Sequence, residues 1–272
     1  MAPKPPDARG TPGNPGRPSF TPFGMSEVFA LRLEKVSKWF GGLRAVDGVE
    51  LVVRPGERRA LIGPNGAGKT TLFNLIAGAL PPSDGRITLF GDDVTRLAQH
   101  RRAALGLTRT FQITTLFPSL TVLENALLAA QALTPAKFAM LRPLGRFTDL
   151  EARARQALAA VGLEDRAGTT ARHLSHGEQR QLEIALALAG QPRVLLLDEP
   201  AAGLSQAEAH LMTALLRRLD PAITLLIIEH DMDIALEVAQ QATVLHYGRV
   251  IADGPCERVK TDPTVREIYL GA

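Results

Sequence analysis

Gly63-Pro64-Asn65-Gly66-Ala67-Gly68-Lys69-Thr70-Thr71 has the spacing G-x-x-x-x-G-K-[ST], and its neighbours give it the right setting. The apolar run Arg59-Ala60-Leu61-Ile62 before it predicts a buried strand. After it, Leu72, Phe73, Leu75, Ile76 and Ala79 recur at helical spacing, with Gly78 and Pro81 marking the helix end. A strand, a glycine-rich loop and a helix N-terminus in succession aim backbone N–H groups at an anion. Lys69 adds a positive charge for the terminal phosphates of a nucleotide, and Thr70 offers a hydroxyl to a magnesium ion.

The same alternation returns in the second half of the chain. Ser175 to Leu188 predicts a helix, Val194 to Leu197 a strand, and Ser205 opens another helix. Ile223 to Ile228 is a strand, Asp231 opens a helix, and strands follow near Val244 and Val250. Helices alternating with continuous apolar strands predict an α/β fold, a mostly parallel sheet covered on both faces. Phe29 to Leu33, Val49 to Val53 and Arg86 to Phe90 read as shorter strands of a small antiparallel layer beside this core. Residues 97–173 are mostly helical by pattern and read as an insertion into the sheet. There, Thr121 with Glu124 forms a capping box opening a helix through Ala130, and Asp149 to Ala160 is a second helix ending at Gly162. Residues 134–148 carry no periodicity and receive no assignment.

Residues 1–26 differ in composition, with seven prolines between Pro3 and Pro22 and no apolar period. Such a segment buries too little to offset its ordering entropy, so a disordered tail is expected, with Met25 at its end as an alternative start. Residues 27–272 form the expected folded unit. The net charge of +3 is too small to point to nucleic acid. No apolar run approaches the roughly 20 residues that span a bilayer, so membrane association is expected only through a partner. The single cysteine, Cys256, rules out an internal disulfide and reads as a spectator thiol.

Two further stretches carry chemistry. Val194-Leu195-Leu196-Leu197-Asp198-Glu199-Pro200 ends a buried strand with two carboxylates, where an α/β sheet places ligand chemistry. Asp198 is placed to hold magnesium through water, across from Thr70, and Glu199 to orient or deprotonate an attacking water. Leu174-Ser175-His176-Gly177-Glu178-Gln179 holds another capping box, Ser175 with Glu178, and so a second helix N-terminus for an anion. One nucleotide needs one such cradle. The spare one makes sense if it serves a nucleotide held by another subunit.

The order phosphate loop, Phe111-Gln112, LSHGEQ, LLLDEP and Ile228-Glu229-His230-Asp231 resembles the ATP-binding cassette ATPases over nearly the whole chain from Val28. The resemblance implies ATP and Mg2+ as cofactors and assigns roles by position. Gln112 falls on the glutamine that senses metal and water and begins the contact with a membrane partner. Ser175, Gly177 and Gln179 fall on the signature that meets ATP in trans, and His230 on the switch histidine that touches the γ-phosphate. Phe40 falls where the family stacks an aromatic on adenine, with Trp39 competing for that place. Ala201-Ala202-Gly203-Leu204-Ser205 occupies the loop that communicates across a dimer. His176 and Glu178 replace the usual glycine and glutamine, while the serine and second glycine remain.

A narrower resemblance lies in Leu107 to Gln112, Leu116 to Asn125, Asp198 to Leu204, Glu229 to Met232 and Tyr269-Leu270-Gly271. These stretches are similar to the LivG-type ATP-binding subunit of branched-chain amino acid importers. The implied partners are transmembrane permease subunits, a paralogous LivF-type ATPase subunit or a second copy, and indirectly an extracytoplasmic solute-binding protein. The implied place is the cytoplasmic face of the inner membrane. An ATPase of a lipopolysaccharide-export-like or other exporter shares much of the pattern, and a soluble non-transport cassette ATPase is the alternative of another class. A GTPase would carry N-K-x-D, which this sequence lacks.

Overall fold

The structure is a computed structural model that describes residues 29–110, 116–132, 134 and 148–270. Two sheets organise it. The first is antiparallel, in the order β2-β1-β4-β5, from β1 (Leu31–Phe40), β2 (Leu43–Val53), β4 (Asp84–Leu89) and β5 (Asp92–Asp93). The second has the order β10-β9-β3-β8-β7-β6, from β3 (Arg58–Ile62), β6 (Leu107–Arg109), β7 (Val194–Asp198), β8 (Thr224–Ile228), β9 (Gln241–His246) and β10 (Arg249–Pro255). All its neighbouring pairs are parallel except β9 with β10.

The apolar runs Ala60–Ile62 in β3, Val194–Leu197 in β7 and Leu225–Ile228 in β8 follow from burial on both faces. Ala60, Ile62, Leu195, Leu197, Leu225 and Ile227 point into one core, shared with α3 (Val122–Ala132), α4 (Thr148–Ala160), α5 (His176–Ala189) and α6 (Gln206–Arg218). Leu61, Val194, Leu196, Leu226 and Ile228 point into the other, shared with the antiparallel sheet and with Leu72, Phe73, Leu75 and Ile76 of α1 (Lys69–Ala77). Each of the valine, leucine, isoleucine and phenylalanine side chains among them contributes about 1.5–3 kcal/mol by leaving water. The register sets the strand ends level: Leu61 pairs with Ile228, and Ile228 with Asp198. Three loops therefore leave the sheet side by side at the carboxyl ends of β3, β8 and β7.

Several expected boundaries hold. Gly78 caps α1 in the left-handed conformation, at φ 78°, and returns its N–H to Asn74 O and Leu75 O. The capping boxes at Thr121 and Ser175 both form. The antiparallel layer differs in extent, because β1 runs on to Phe40 through register shifts between Leu33 and Trp39 that break its alternation. Within 97–173 lie not only helices, α2 (Gln99–Ala104) among them, but also β6, whose Leu107 and Arg109 pair with Val194 and Leu196 at the sheet edge. Three residues are too few to display a strand period. The chain continues through α7 (Met232–Val238), α8 (Cys256–Thr261) and α9 (Pro263–Leu270), and no helix among the described residues is long and apolar enough to cross a membrane.

Candidate functional site

The loop between β3 and α1 wraps around the Lys69 ammonium, which donates to Gly63 O at 2.6 Å and Pro64 O at 3.1 Å. Burial pulls the Lys69 pKa below the ordinary lysine value, while Glu199 and Asp198 act to raise it. The glycines have separate reasons. A Cβ on Gly63 would meet Leu245 O at 2.2 Å, and one on Gly68 would meet Ala45 O at 2.3 Å. At Gly66, φ is 78° and a Cβ would meet nothing within 4 Å, so its open side faces the space a ligand would enter. No side chain caps α1, and its first turn carries no acidic residue. The positive end of that helix is thus left to an external anion.

A cavity of about 450 Å³ opens here, lined by residues 65–71 with Phe40, Leu43, Arg44, Ala45, Glu199, His230 and Tyr247. Phe40 is in this wall and Trp39 is not; Trp39 instead carries the Arg44 guanidinium 5.9 Å from its ring centre. Glu199 follows β7 with φ at 50°, a left-handed backbone that costs a non-glycine residue about 1–2 kcal/mol. Its N–H donates to Ile228 O at 2.9 Å, and its Oε1 lies 2.6 Å from His230 Nε2.

Asp198 is 1% exposed and accepts from Arg109 Nη2 at 2.7 Å through Oδ2. Its other oxygen, Oδ1, is buried without a hydrogen-bond partner. A buried carboxylate oxygen of this kind fits a cation or a cation-bound water. Among the described residues no group of three or more His, Cys, Asp or Glu side chains forms a metal site. A single carboxylate beside a phosphate loop suits an ion whose remaining ligands come from phosphate oxygens and water.

Other residues belong to this neighbourhood without being expected from sequence. Arg109 reaches it from β6. Glu229, buried at the end of β8, accepts the Ala201 N–H at 2.9 Å and so ties that strand end to loop 201–205. Burial pushes the Glu229 pKa up to about 7, against the lowering effect of the Ala201 and His230 amides. Both residues sit at strand ends, but their pairing and burial have no local signal.

Ser175, Gly177 and Gln179 do not line the cavity. Ser175 caps α5, accepting the Glu178 N–H at 3.2 Å while Glu178 Oε2 accepts the Ser175 N–H at 2.8 Å. His176 packs on loop 201–205, where a Cβ on Gly203 would meet its Nε2 at 3.2 Å. Gln112 and Phe111 lie outside the described residues.

Residues 46–202 match the family model described as ABC transporter. The chain is 39% identical over 248 residues to the high-affinity branched-chain amino acid transport ATP-binding protein BraF of Pseudomonas aeruginosa, covering 89% of this chain and 97% of that protein. The chain belongs to the ABC transporter family. Against the high-affinity branched-chain amino acid transport ATP-binding protein LivG of Escherichia coli (strain K12), this cassette is 41% identical, over 85% of its own length and 94% of the relative's. Among solved structures it resembles the ADP conformation of MJ1267, an ATP-binding cassette of an ABC transporter, at 33% identity and a TM-score of 0.78, covering 90% and 99% of the two chains. It also resembles the dimeric post-hydrolysis state of the ATP-binding cassette MJ0796 bound to ADP and Pi, at 25% identity and a TM-score of 0.69, over 83% and 98%. The expected α/β cassette fold and the expected family are both borne out.

Proposed function

We propose that this cassette ATPase is the energy-coupling subunit of an importer for branched-chain amino acids or related small organic solutes. The observation that carries the hydrolytic part is the Glu199–His230 contact in the cavity that Lys69 and its loop floor. Supporting the transport part are relatives named for branched-chain amino acid transport, matched over most of their length.

In this reading the phosphates of ATP lie in loop 63–71. Their oxygens replace Gly63 O and Pro64 O as the partners of Lys69 and take the amides at the start of α1. Phe40 meets the adenine. The Thr70 hydroxyl, Asp198 through water, and Gln112 would hold Mg2+, which would supply positive charge to the terminal phosphates. Glu199 accepts a proton from the water aligned on the γ-phosphate, and His230 holds the Glu199 carboxylate and reaches the phosphate.

The signature residues Ser175, Gly177 and Gln179 serve a second site. They lie away from this cavity while α5 presents its N-terminus, an arrangement suited to ATP on a LivF-type partner or a second copy. Two such sites bring the subunits together, and loss of the γ-phosphate removes the charge that joins them. The same reading places the cassette peripherally on the cytoplasmic face of the membrane, joined to permease subunits and indirectly served by a solute-binding protein. Co-expression with those permeases, reconstitution and ATPase measurement with loaded binding protein test it. Stimulation by leucine, isoleucine or valine is expected; stimulation by none of them removes the substrate class, and absence of a permease complex removes the transport role.

A further inference from the structure

We infer that Tyr247 is a further nucleotide-contact residue, a second aromatic group for the base-and-ribose end of ATP in this cavity. The inference deepens the ATP-binding reading and rests on it. Tyr247 and Gly248 form the two-residue turn between β9 and β10, with φ at 45° and 76°. Two positive φ values in such a turn define type I′, whose first position favours asparagine, aspartate or glycine. A bulky aromatic there is strained, and this one is also 80% exposed. Neither local conformation nor core packing accounts for it, and strain of this sort is concentrated where ligands bind.

The turn is fixed to the phosphate loop on one side and to the antiparallel sheet on the other. Gly248 N–H donates to Ala67 O at 2.9 Å, and Asp47 N–H donates to Gly248 O at 2.9 Å. Arg249, next in the chain, donates from Nε and Nη2 to Asp47 Oδ2 at 2.9 and 2.7 Å. The His246 ring lies beside Tyr247, their centroids 4.2 Å apart. Position relative to Lys69 is therefore set by backbone bonds rather than by a loose side-chain contact.

Phe40, Leu43 and Tyr247, all large, apolar and exposed, line this one cavity. Lys69, Glu199 and His230 line the same cavity, as does Arg44. An apolar, aromatic wall next to a phosphate cradle matches a ligand with a π-face joined to phosphates, and base–aromatic contact tolerates any base because each has such a face.

The turn itself supplies the test. Tyr247→Asn installs a residue the turn favours, so the purified full chain keeps or gains thermal stability. Binding is measured for ATP and, separately, for inorganic triphosphate, which has no base. ATP affinity is expected to fall about fivefold to tenfold, with triphosphate affinity unchanged. Tyr247→Phe, which keeps the ring, is expected to restore ATP affinity. Unchanged ATP affinity in Tyr247→Asn, or equal weakening of triphosphate, overturns the proposal. Lys69→Ala separates the two levels: it should weaken both ligands, and if it weakens neither, the phosphate-loop reading itself fails.

Discussion

His230 Nε2 lies 2.6 Å from Glu199 Oε1, and the two differ in exposure, at 51% for the histidine side chain and 11% for the carboxylate. A largely buried carboxylate is thus held by an imidazole that reaches it from the open side of the cavity. They come from neighbouring strand ends, β7 and β8, which the level pairing of Asp198 with Ile228 sets at one height. The contact fixes how Glu199 presents itself to the cavity in the absence of any other subunit.

Glu199→Gln keeps the size and hydrogen bonding of the side chain but removes its basicity. Hydrolysis is expected to fall at least about 100-fold while ATP binding persists, so a closed dimer should accumulate with ATP. Phosphate release measured beside gel filtration checks both parts. Normal turnover in the variant removes Glu199 from its assigned role.

Ser175 is bonded within its own capping box and stands outside the cavity that holds Lys69. Ser175→Arg should leave ATP affinity of the isolated chain within about twofold, since no residue of that cavity changes. Closure onto a second subunit should be lost, because the added side chain would occupy the place proposed for the γ-phosphate of the other subunit's ATP. If ATP affinity disappears with closure, the signature is not acting in trans.

Much of this arrangement was legible because burial on both faces leaves a direct mark. β7 and β8 carry four-residue apolar runs and β3 the run Ala60-Leu61-Ile62, and the carboxylates and glycines that follow stand out against them. Capping boxes are equally local, and those at Thr121 and Ser175 form as expected. The rest depends on partners distant in sequence. Arg109 ends a three-residue strand and acquires its meaning only beside Asp198, 89 residues on. Glu229 looks like a solvated strand-end acid until loop 201–205 covers it. Tyr247 reads as a surface aromatic in a turn until that turn is seen bonded to Ala67. Gln112, central to the family resemblance, lies outside the described residues.

Glu229 makes stability depend on pH. Its folded pKa, pushed up to about 7, lies above the ordinary glutamate value of 4.5, so the folded state binds the proton more tightly than the unfolded one. As far as this group is concerned, stability is fully present below pH 4.5, falls as pH rises from there to about 7, and levels off above it. Glu229→Gln imitates the protonated form and keeps an oxygen for the Ala201 amide. It should be more stable than the wild type by on the order of 3 kcal/mol at pH 8, with the difference vanishing below about pH 4. Thermal unfolding across that range checks it, and a difference independent of pH would show that Glu229 is not the titrating group.

Two glycines of the phosphate loop should fail in different ways. Gly63→Ala puts a Cβ against the carbonyl of Leu245, a backbone atom of β9 that cannot move without disturbing the sheet. That variant should lose stability on the order of 2–3 kcal/mol, with nucleotide binding lost as a consequence. Gly66→Ala meets no protein atom within 4 Å, so its cost to folding is only the left-handed backbone, about 1 kcal/mol. Its Cβ instead enters the space assigned to phosphate oxygens. Gly66→Ala should therefore melt within a few degrees of the wild type yet bind ATP at least about tenfold more weakly. Calorimetric unfolding paired with ATP titration separates the two cases. Equal affinity for ATP in Gly66→Ala and wild type would mean that the phosphates do not pass over the open side of this loop.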